Sequence, residues 1–413
     1  MRFRWLIACV FFLIGLIAYM DRANISVVAS FMMEEFSIDK TQFGLLNSAF
    51  FIAYAAAQIP SGILIQKFGN KFMTIFALIL WSIFTILTPL AGTFMLLLVV
   101  RFLFGLGEAP IYPSNAAFNN NWFGKQEKAR AASFLLAGSY FGPVIAPFIS
   151  VWLVQNYGWH SVFYVFGVIG ILIAIIYWFI SSSKPEDNKF ISKEELAYIQ
   201  SERFVDNIKK TPWKVFLKNK EFYALGIAYF FCVYMTGMFM TWLPTFLLEA
   251  KGLDLKAMGF YAGAPWLAIC IFVALGGGIS DKILKISNSF KKARTYLAVA
   301  GFLIFDICLF LVIYVENTML SILFLSLGFG FLGLPVVVSW AVAADKGRSQ
   351  AAAVSSWMNL WGNVGSAFSP ILVGWMAQKY GWNIAILFNI IPVTLAMIAY
   401  LFVKPDNALT QEN

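Results

Sequence analysis

Five ionisable residues lie inside long apolar stretches of the chain, where a charge is costly. They are Asp21 and Arg22, which are adjacent, then Arg101 and Glu108, and, on its own, Asp306. A charge at the centre of a lipid bilayer costs ~3 kcal/mol on insertion scales, so each residue is a candidate for a functional role. An arginine binds a carboxylate through parallel N–H bonds and keeps its charge, whereas a buried carboxylate can gain a proton when its partners change. The pattern indicates an anion-binding site coupled to proton transfer.

Helix geometry predicts how these charges meet. From the rise per residue, Arg22 lies ~13 Å and Arg101 ~10 Å below the outer ends of their helices, so the two arginines share a level. Glu108 follows Arg101 by two turns and lies ~10 Å deeper on nearly the same face. We expect Asp21 to pair with Arg101 or Arg22, and an incoming anion to compete with Asp21 and leave it free to take a proton. The alternative is that these four residues are structural ion pairs between two helices; Asp306, without a basic partner in its own helix, is assigned a structural or incidental role.

The elements that carry these residues are membrane-spanning helices. Hydrophobic residues make up 60% of the 413 residues and charged residues only 12%, which excludes a soluble enzyme, a disordered chain and a nucleic-acid-binding protein. Uncharged stretches of about 20 residues are long enough to cross a bilayer as helices. Twelve spans are predicted, at 5–30, 42–65, 72–88, 94–119, 130–154, 160–181, 221–248, 257–280, 294–315, 318–343, 350–377 and 383–403. The fold class is an all-α membrane protein with twelve transmembrane helices.

The distribution of lysine and arginine predicts the orientation of these helices. Of the 30 basic residues, 24 fall in the termini and in the loops on one side, and four fall in the loops on the other side. Because cytoplasmic loops carry the excess of basic residues, both termini are predicted to be cytoplasmic. The net charge of +9 is then an orientation signal and does not indicate a nucleic-acid partner.

The chain also repeats itself. The tripeptide Tyr157-Gly158-Trp159 recurs as Tyr380-Gly381-Trp382, and Gly142 matches Gly365 at the same offset of 223 residues. The loop after the second span is echoed after the eighth; the conformational loop motifs assigned there are Gly62, Lys67, Gly69, Lys71, Gly277, Asp281 and Lys282. Two six-helix bundles related by a pseudo-two-fold axis along the membrane normal are predicted, as in many secondary transporters.

Three domains follow from this repeat. We assign 1–181 to an N-terminal six-helix bundle, 182–220 to a cytoplasmic linker and 221–413 to a C-terminal six-helix bundle. The linker carries a capping box that begins at Ser192, so a short surface helix from Glu194 to about Phe204 is expected within it.

Three motifs resemble one known family. They are Asp21-Arg22-x-Asn24-x-Ser26, Arg101-x-x-x-Gly105-x-Gly107-Glu108 and Trp242-Leu243-Pro244-Thr245-Phe246-Leu247. They are similar to the anion:cation symporter branch of the major facilitator superfamily, and the resemblance covers essentially the whole chain. That family includes bacterial proton symporters for hexuronates, aldonates and aldarates, and animal carriers of sialic acid and glutamate. The resemblance implies a monomer in the bacterial inner membrane.

The resemblance also implies roles for individual residues. Arg22 would bind the substrate carboxylate, Asp21 and Glu108 would take protons, and Arg101 would pair with Asp21. The substrate-binding residues that it adds are Tyr19, Tyr54, Trp340, Asn359 and Asn363, the last as a neighbour of Asn359.

The sequence departs from this family in two places. Gln66 stands where an acidic loop residue is usual, although Asp281 is present in the second copy, so the charge latch of the first half is in doubt. Ser139-Tyr140 stands where similar sugar-acid carriers tend to have a glutamine, so the substrate can differ from theirs.

The expected function is proton-driven import of a small organic anion by alternating access. A sugar acid such as a hexonate, hexuronate or aldarate is the favoured substrate, with protons as the coupling ion and no cofactor or metal. Alternatives are a carrier of an aromatic acid, an amino acid or sialic acid, and an organic-anion exchanger. A membrane-embedded enzyme is the alternative from a different class, but the spans contain no nucleophile–base pair or metal-ligand cluster, and the protein is not expected to be an enzyme.

Overall fold

The computed structural model describes residues 2–124, 127–202, 216–347 and 351–405. The regular secondary structure in these ranges is helical. We number its long helical segments α1 (Phe3–Val27), α2 (Lys40–Phe68), α3 (Asn70–Leu87), α4 (Phe94–Glu108 and Ile111–Trp122), α5 (Lys128–Tyr157), α6 (His160–Ile180), α7 (Lys220–Glu249), α8 (Leu255–Tyr261 and Gly263–Ser287), α9 (the π-helical turn Lys291–Tyr296 and Leu297–Tyr314), α10 (Thr318–Gly347), α11 (Ala351–Tyr380) and α12 (Trp382–Phe388 and Ile390–Leu401). Short helices at Ala29–Glu35 and Lys193–Ser201 and 3-10 turns at Thr88–Leu90 and Pro185–Asp187 complete the described elements.

The apolar surface of these helices fits a lipid environment. Within the described residues, 11 helices are long and apolar enough to cross a membrane. The predicted span that is missing from these 11 is α11. It has 30 residues but carries more serine, asparagine and glycine in total than the others. Large apolar side chains such as Ile59 and Phe148 are 71% and 63% exposed, as expected where lipid replaces water. The prediction of an all-helical membrane protein is confirmed.

The backbone divides into two compact units. The first unit comprises Met1–Ile38 and Leu45–Asp206, and the second comprises Asp39–Gly44 and Asn207–Asn413. In the first unit α1 packs along α5 and against α6, while α3 packs against α4 and α6. In the second unit α7 packs along α11 and against α12, while α10 packs against α8 and α9.

The contact between α1 and α5 is made by backbone against backbone. A Cβ atom added to Gly138 would lie 2.0 Å from the carbonyl oxygen of Phe12, and one added to Gly142 would lie 2.6 Å from that of Leu16. Neither distance is possible for a side chain, so only glycine permits this approach, as is common where membrane helices pack closely. The contact fixes the register of α1, which carries Arg22, against α5.

The second unit repeats this packing. A Cβ atom added to Gly365, which the repeat aligns with Gly142, would lie 2.1 Å from the carbonyl oxygen of Phe230 on α7. The tryptophans of the repeated tripeptide also have matching partners: the indole of Trp159 donates to Glu35 over 2.9 Å, and that of Trp382 donates to Glu249 over 2.8 Å. The repeat seen in the sequence therefore has the same local structure in both units.

The linker helix is capped as the sequence predicts. The Ser192 hydroxyl accepts a hydrogen bond from the backbone of Glu195 at 3.1 Å, and the helix runs from Lys193 to Ser201. The predicted continuation to about Phe204 lies outside the described residues. The Glu195 carboxylate does not cap its own helix: it accepts from the backbone N–H of Phe3 at 2.8 Å and from that of Arg4 at 3.2 Å. The linker helix is thus bound to the start of α1.

Candidate functional site

A buried ion pair joins Arg22 on α1 to Glu108 on α4. The Nε atom of Arg22 donates to Oε1 of Glu108 over 2.8 Å, and the Nη2 atom donates to the same oxygen. Arg22 is 6% exposed and Glu108 is 1% exposed. The other carboxylate oxygen of Glu108 has no hydrogen-bond partner among the described residues. The pair is therefore neutral as a unit, but its hydrogen-bonding capacity is only partly used.

The α-helix of α4 is interrupted directly after Glu108. The first segment ends at Glu108 and the second begins at Ile111, with Ala109 and Pro110 between them. A proline lacks a backbone N–H and clashes with the preceding turn, which interrupts the helical hydrogen bonding. The carboxylate of Glu108 is thus carried at the end of a helical segment, beside a break in the helical hydrogen bonding.

Three aromatic rings surround the guanidinium of Arg22. Its Cζ atom lies 4.4 Å from the centroid of the Tyr19 ring, 4.7 Å from that of Tyr54 and 5.0 Å from that of Phe50. Each distance is within the range of a cation–π interaction. The cage stabilises the positive charge without using its N–H donors, so these remain available to an anion.

Arg101 lies beside the same cage. Its Cζ atom is 5.6 Å from the Phe50 ring and 4.8 Å from the Phe104 ring, so Phe50 contacts both guanidinium groups. Arg101 is 2% exposed, and its Nε atom has no hydrogen-bond partner among the described residues. A Cβ atom added to Gly105 would lie 2.4 Å from the carbonyl oxygen of Phe50, so a close contact between α2 and α4 positions these groups.

Asp21 also has weak partners in the cluster. It is 1% exposed, its Oδ1 atom accepts from Asn24 over a long 3.4 Å contact, and its Oδ2 atom has no partner among the described residues. Asp21 interacts electrostatically with Arg101 and Glu108, although neither of them is hydrogen-bonded to it. A carboxylate held in this way keeps both oxygens accessible to a proton.

The expected pairing of Arg101 with Asp21 is present only as an electrostatic interaction, and it stays a prediction. No hydrogen bond or ion pair joins the two within the described residues, and the pair that forms is Arg22 with Glu108. Depths along a helix axis locate backbone atoms, whereas an arginine side chain reaches several Å along the helix. Arg22 therefore contacts a carboxylate that the depth estimate places at a different level.

Sequence reasoning missed Tyr112 in this cluster. Its hydroxyl lies 2.8 Å from Oγ of Ser139 on α5 and 3.4 Å from the hydroxyl of Tyr19 on α1. Tyr112 follows Glu108 by four residues, which is the spacing of neighbours on one helix face. That spacing was a usable signal.

The predicted substrate-binding residues of the second unit form their own contacts. The indole of Trp340 on α10 donates to the hydroxyl of Tyr229 on α7 over 2.9 Å, and the indole ring is 43% exposed. On α11 the side chain of Asn363 donates to the backbone carbonyl of Asn359 over 3.0 Å, and both residues are partly exposed. Tyr229 is a neighbour of Trp340 that the sequence did not indicate.

The loop motifs differ between the units. In the second unit Arg294 binds Asp281 at 3.3 Å and Asp345 at 3.2 Å, close to Gly277 and Lys282 in sequence. In the first unit Lys67 lies over the Phe68 ring and Lys71 over the Trp178 ring, at 5.3 and 5.4 Å. The remaining members are Gly62, which has open space around it, and Gly69, which has a positive φ of 83°. Asp281 is thus part of a charge network, and Gln66 in the first unit is exposed.

Asp306 lies away from these contacts, at the contact of α9 with α12. The hydroxyl of Thr394 donates to its Oδ2 atom over 3.0 Å, and the residue is 9% exposed. A neutral hydroxyl partner is compatible with the structural role expected of it. Among the described residues, no group of three or more His, Cys, Asp or Glu side chains is placed to hold a metal ion.

Comparison with known proteins identifies the family. The Major Facilitator Superfamily profile matches residues 11–370. A probable galactarate/D-glucarate transporter of Bacillus subtilis (strain 168) is 33% identical, over 96% of this chain and 91% of that protein. A D-galactonate transporter of Escherichia coli O6:H1 (strain CFT073) is 29% identical, over 98% of this chain and 96% of that protein.

The fold agrees with this assignment. A crystal structure of a bacterial homolog of the human lysosomal transporter Spinster, in an inward-facing and occupied conformation, superposes with a TM-score of 0.81, covers 97% of both chains and is 18% identical. That likeness shows the fold alone. With the family match and the full-length relatives, it confirms the resemblance drawn from the motifs: the chain is an integral multi-pass membrane protein of the Major Facilitator Superfamily, a transporter rather than an enzyme, related to sugar-acid transporters.

Proposed function

We propose that the protein is a proton-coupled symporter that imports a small organic anion, most favourably a sugar acid. The observation that carries the proposal is the buried Arg22–Glu108 pair inside its cage of aromatic rings. A substrate anion can displace Glu108 from Arg22, and a proton can neutralise the displaced carboxylate. Binding of the anion and binding of the proton are coupled in this way.

The first step is capture of the substrate carboxylate by Arg22. Two of its N–H groups are bound to one oxygen of Glu108, and a guanidinium has five N–H donors in all. An incoming carboxylate competes with Glu108 for these donors. The aromatic rings keep the guanidinium in place during the exchange, because the cation–π contacts do not depend on which carboxylate is bound.

The second step is protonation of the displaced Glu108. A buried carboxylate that has lost its basic partner costs several kcal/mol as a charge, and protonation removes that cost. With one anion at Arg22 and one proton on Glu108, the net charge of the site equals that of the empty site. Substrate binding therefore favours proton uptake, and proton uptake favours substrate binding, as linkage requires. Asp21, which also has an unpartnered oxygen, is a second proton acceptor in this scheme.

Alternating access between the two six-helix bundles completes the proposal. In this scheme the hydroxyl end of the substrate is contacted by Trp340, Asn359 and Asn363. Both termini face the cytoplasm of a bacterial cell. The transporter is a monomer. Support comes from the sugar-acid relatives named above and from the excess of basic residues on one side of the predicted spans. Carriage of another organic anion would use the same arginine. Exchange without protons would also use it, but would not need Glu108 to take up a proton.

Uptake into proteoliposomes under an imposed pH gradient tests the proposal. The wild-type protein should accumulate labelled D-gluconate or D-glucarate above the external concentration. Glu108→Gln should abolish accumulation and leave exchange of internal for external substrate measurable, because the arginine is still present. Asp306→Asn is the matched control, since it alters a buried carboxylate outside the cluster. Normal proton-driven accumulation by Glu108→Gln would refute the coupling role.

A further inference from the structure

Three hydroxyl groups from three helices meet beside the Arg22 cage. Tyr112 on α4 contacts Ser139 on α5 at 2.8 Å and Tyr19 on α1 at 3.4 Å. The first distance is normal for a hydrogen bond between hydroxyls and the second is long. Tyr112 and Tyr19 are partly exposed, although both lie well inside their spans. The cluster is therefore partly exposed at its two tyrosines, while Ser139 is buried.

The direction of the hydrogen bonds in this cluster is determined by the backbone. The Ser139 hydroxyl lies 2.9 Å from the carbonyl oxygen of Leu135, one turn earlier on α5. A carbonyl cannot donate, so the single proton of Ser139 goes to Leu135. The short contact with Tyr112 can then form at the same time only if Tyr112 is its donor. With its single proton bound to Ser139, or to Tyr19 over the longer contact, Tyr112 offers only oxygen lone pairs to any further group.

The position of Tyr112 relative to Arg22 follows from Tyr19. The Arg22 guanidinium lies over the ring of Tyr19 at 4.4 Å, and the hydroxyl on the edge of the same ring contacts Tyr112. One tyrosine ring therefore separates the cation from the acceptor oxygen. An anion held by its carboxylate at Arg22 extends its next few carbon atoms over that distance.

We propose that Tyr112 is a specificity-determining residue, which accepts a hydrogen bond from a hydroxyl of the bound anion, so that the site selects hydroxy acids over the matching oxo acids. The proposal rests on the proposed function, because it takes the substrate carboxylate to be bound at Arg22. A hydroxyl can donate to the Tyr112 oxygen, whereas a keto oxygen at the same carbon would face it lone pair to lone pair. A site whose polar groups are left unpaired rejects an analogue more strongly than an apolar pocket does.

Ser139 acts through Tyr112 in this arrangement and is a positioning residue. Without its hydroxyl, the proton of Tyr112 has no partner on α5 and can turn towards the anion or over the long contact to Tyr19. Tyr112 can then donate as well as accept. Ser139→Ala is thus expected to relax the selection against oxo acids, while Tyr112→Phe removes the acceptor altogether.

Binding of three anions to the purified full-length protein in lipid nanodiscs, by isothermal titration calorimetry, tests these expectations. The probes are D-gluconate, 2-keto-D-gluconate and 5-keto-D-gluconate, which differ in which carbon carries an oxo group. The wild-type protein should bind D-gluconate about tenfold or more tightly than at least one oxo acid. Tyr112→Phe should weaken D-gluconate and leave that oxo acid unchanged. Ser139→Ala should retain D-gluconate and strengthen the oxo acid. Tyr177→Phe, a change at a fully buried tyrosine of α6, is the control.

The outcomes separate this proposal from a structural role and from the proposed function. A residue that only fastens α4 to α5 would weaken all three anions equally when changed, and that result would overturn the proposal. Equal binding of all three by the wild-type protein would do the same. If D-gluconate binds and accumulates with protons but the variants keep the wild-type preference, the proposed function stands and the role of Tyr112 fails. If no sugar acid binds to the wild-type protein, both fail.

Discussion

The two units share a scaffold but differ in the side chains that it carries. In both, a glycine of the fifth helix of the unit contacts the backbone of the first, and a tryptophan after the tripeptide turn donates to a glutamate. Away from the ends of the predicted spans, the first unit contains Asp21, Arg22, Arg101 and Glu108, whereas the second contains Asp306 as its one charged residue.

The difference indicates a division of labour. Packing constraints act on every copy of the repeat, because a misplaced methyl group at a backbone contact prevents the helices from meeting. Charge is under no such constraint, so one copy can hold it while the other does not. In the proposed scheme the first unit binds the carboxylate and the proton, and the second unit contributes neutral groups such as Trp340 and Asn359. Each of the following predictions changes a residue of one unit and tests this division.

The largest effect is expected for Arg22→Ala. It removes the buried cation and leaves Glu108 without a partner, so binding of D-gluconate should fall by about 100-fold or more, as for loss of a charge-assisted pair. Trp340→Phe in the second unit should weaken binding by about tenfold at most, because it removes one neutral donor. Calorimetric titration of the two variants measures both effects. An Arg22→Ala protein with wild-type affinity would contradict the carboxylate clamp.

The next effect concerns pH. If binding of the anion is accompanied by protonation of Glu108, the affinity for the anion should fall as the pH rises. The fall should continue until the Glu108 displaced from Arg22 no longer takes up a proton. In Glu108→Gln the affinity should be independent of pH over that range, since the amide does not titrate. Titrations in buffers of different ionisation enthalpy measure the number of protons taken up. Identical pH profiles for the two proteins would assign the coupling proton to a different group.

A smaller effect is expected at the charge network of the second unit. Asp345→Asn weakens the ion pair that joins Arg294 to α10. The other partner of Arg294, Asp281, is largely exposed, so that pair contributes little to stability. The transport rate should fall by about fivefold or less while the affinity for substrate is unchanged. Gln66→Glu, which adds a carboxylate at the matching loop of the first unit, is the comparison. Stopped-flow uptake separates rate from affinity, and a large loss of affinity in Asp345→Asn would place this network in the binding site.

The smallest effect is expected for Asp306→Asn. The amide oxygen can still accept the hydrogen bond from Thr394, so the free energy of unfolding should change by about 1 kcal/mol or less and transport should be normal. Thermal denaturation and proton-driven uptake measure the two quantities. A loss of uptake with an unchanged melting temperature would give the second unit a charge with a transport role.

The sequence predicted the helices more reliably than the contacts between the candidate residues. Apolar length and the positions of Lys and Arg report on the bilayer, and they predicted the ends of α1 to α12 to within seven residues, with the largest difference at the end of α8. The candidate residues Arg22 and Glu108 were found because a charge in an apolar stretch needs a reason. Their pairing was not found, because it depends on how far the two side chains reach.

Tyr112 escaped the sequence analysis for a different reason. A tyrosine is an ordinary residue in a membrane helix, and its role depends on Ser139 and Tyr19, which are distant in sequence. The departure from the family pattern at Ser139-Tyr140 marked the helix that contacts Tyr112. It did not show that a tyrosine from α4 occupies the space beside Ser139.

The glycine contact between α1 and α5 has a consequence for how such a carrier can evolve. Because Gly138 and Gly142 hold the backbones together, the position of Ser139 relative to Arg22 does not depend on the side chain at 139. A mutation there changes which neutral groups are recognised and leaves the cation where it is. Substrate specificity can therefore change by single point mutations, while the residues that couple transport to protons stay the same.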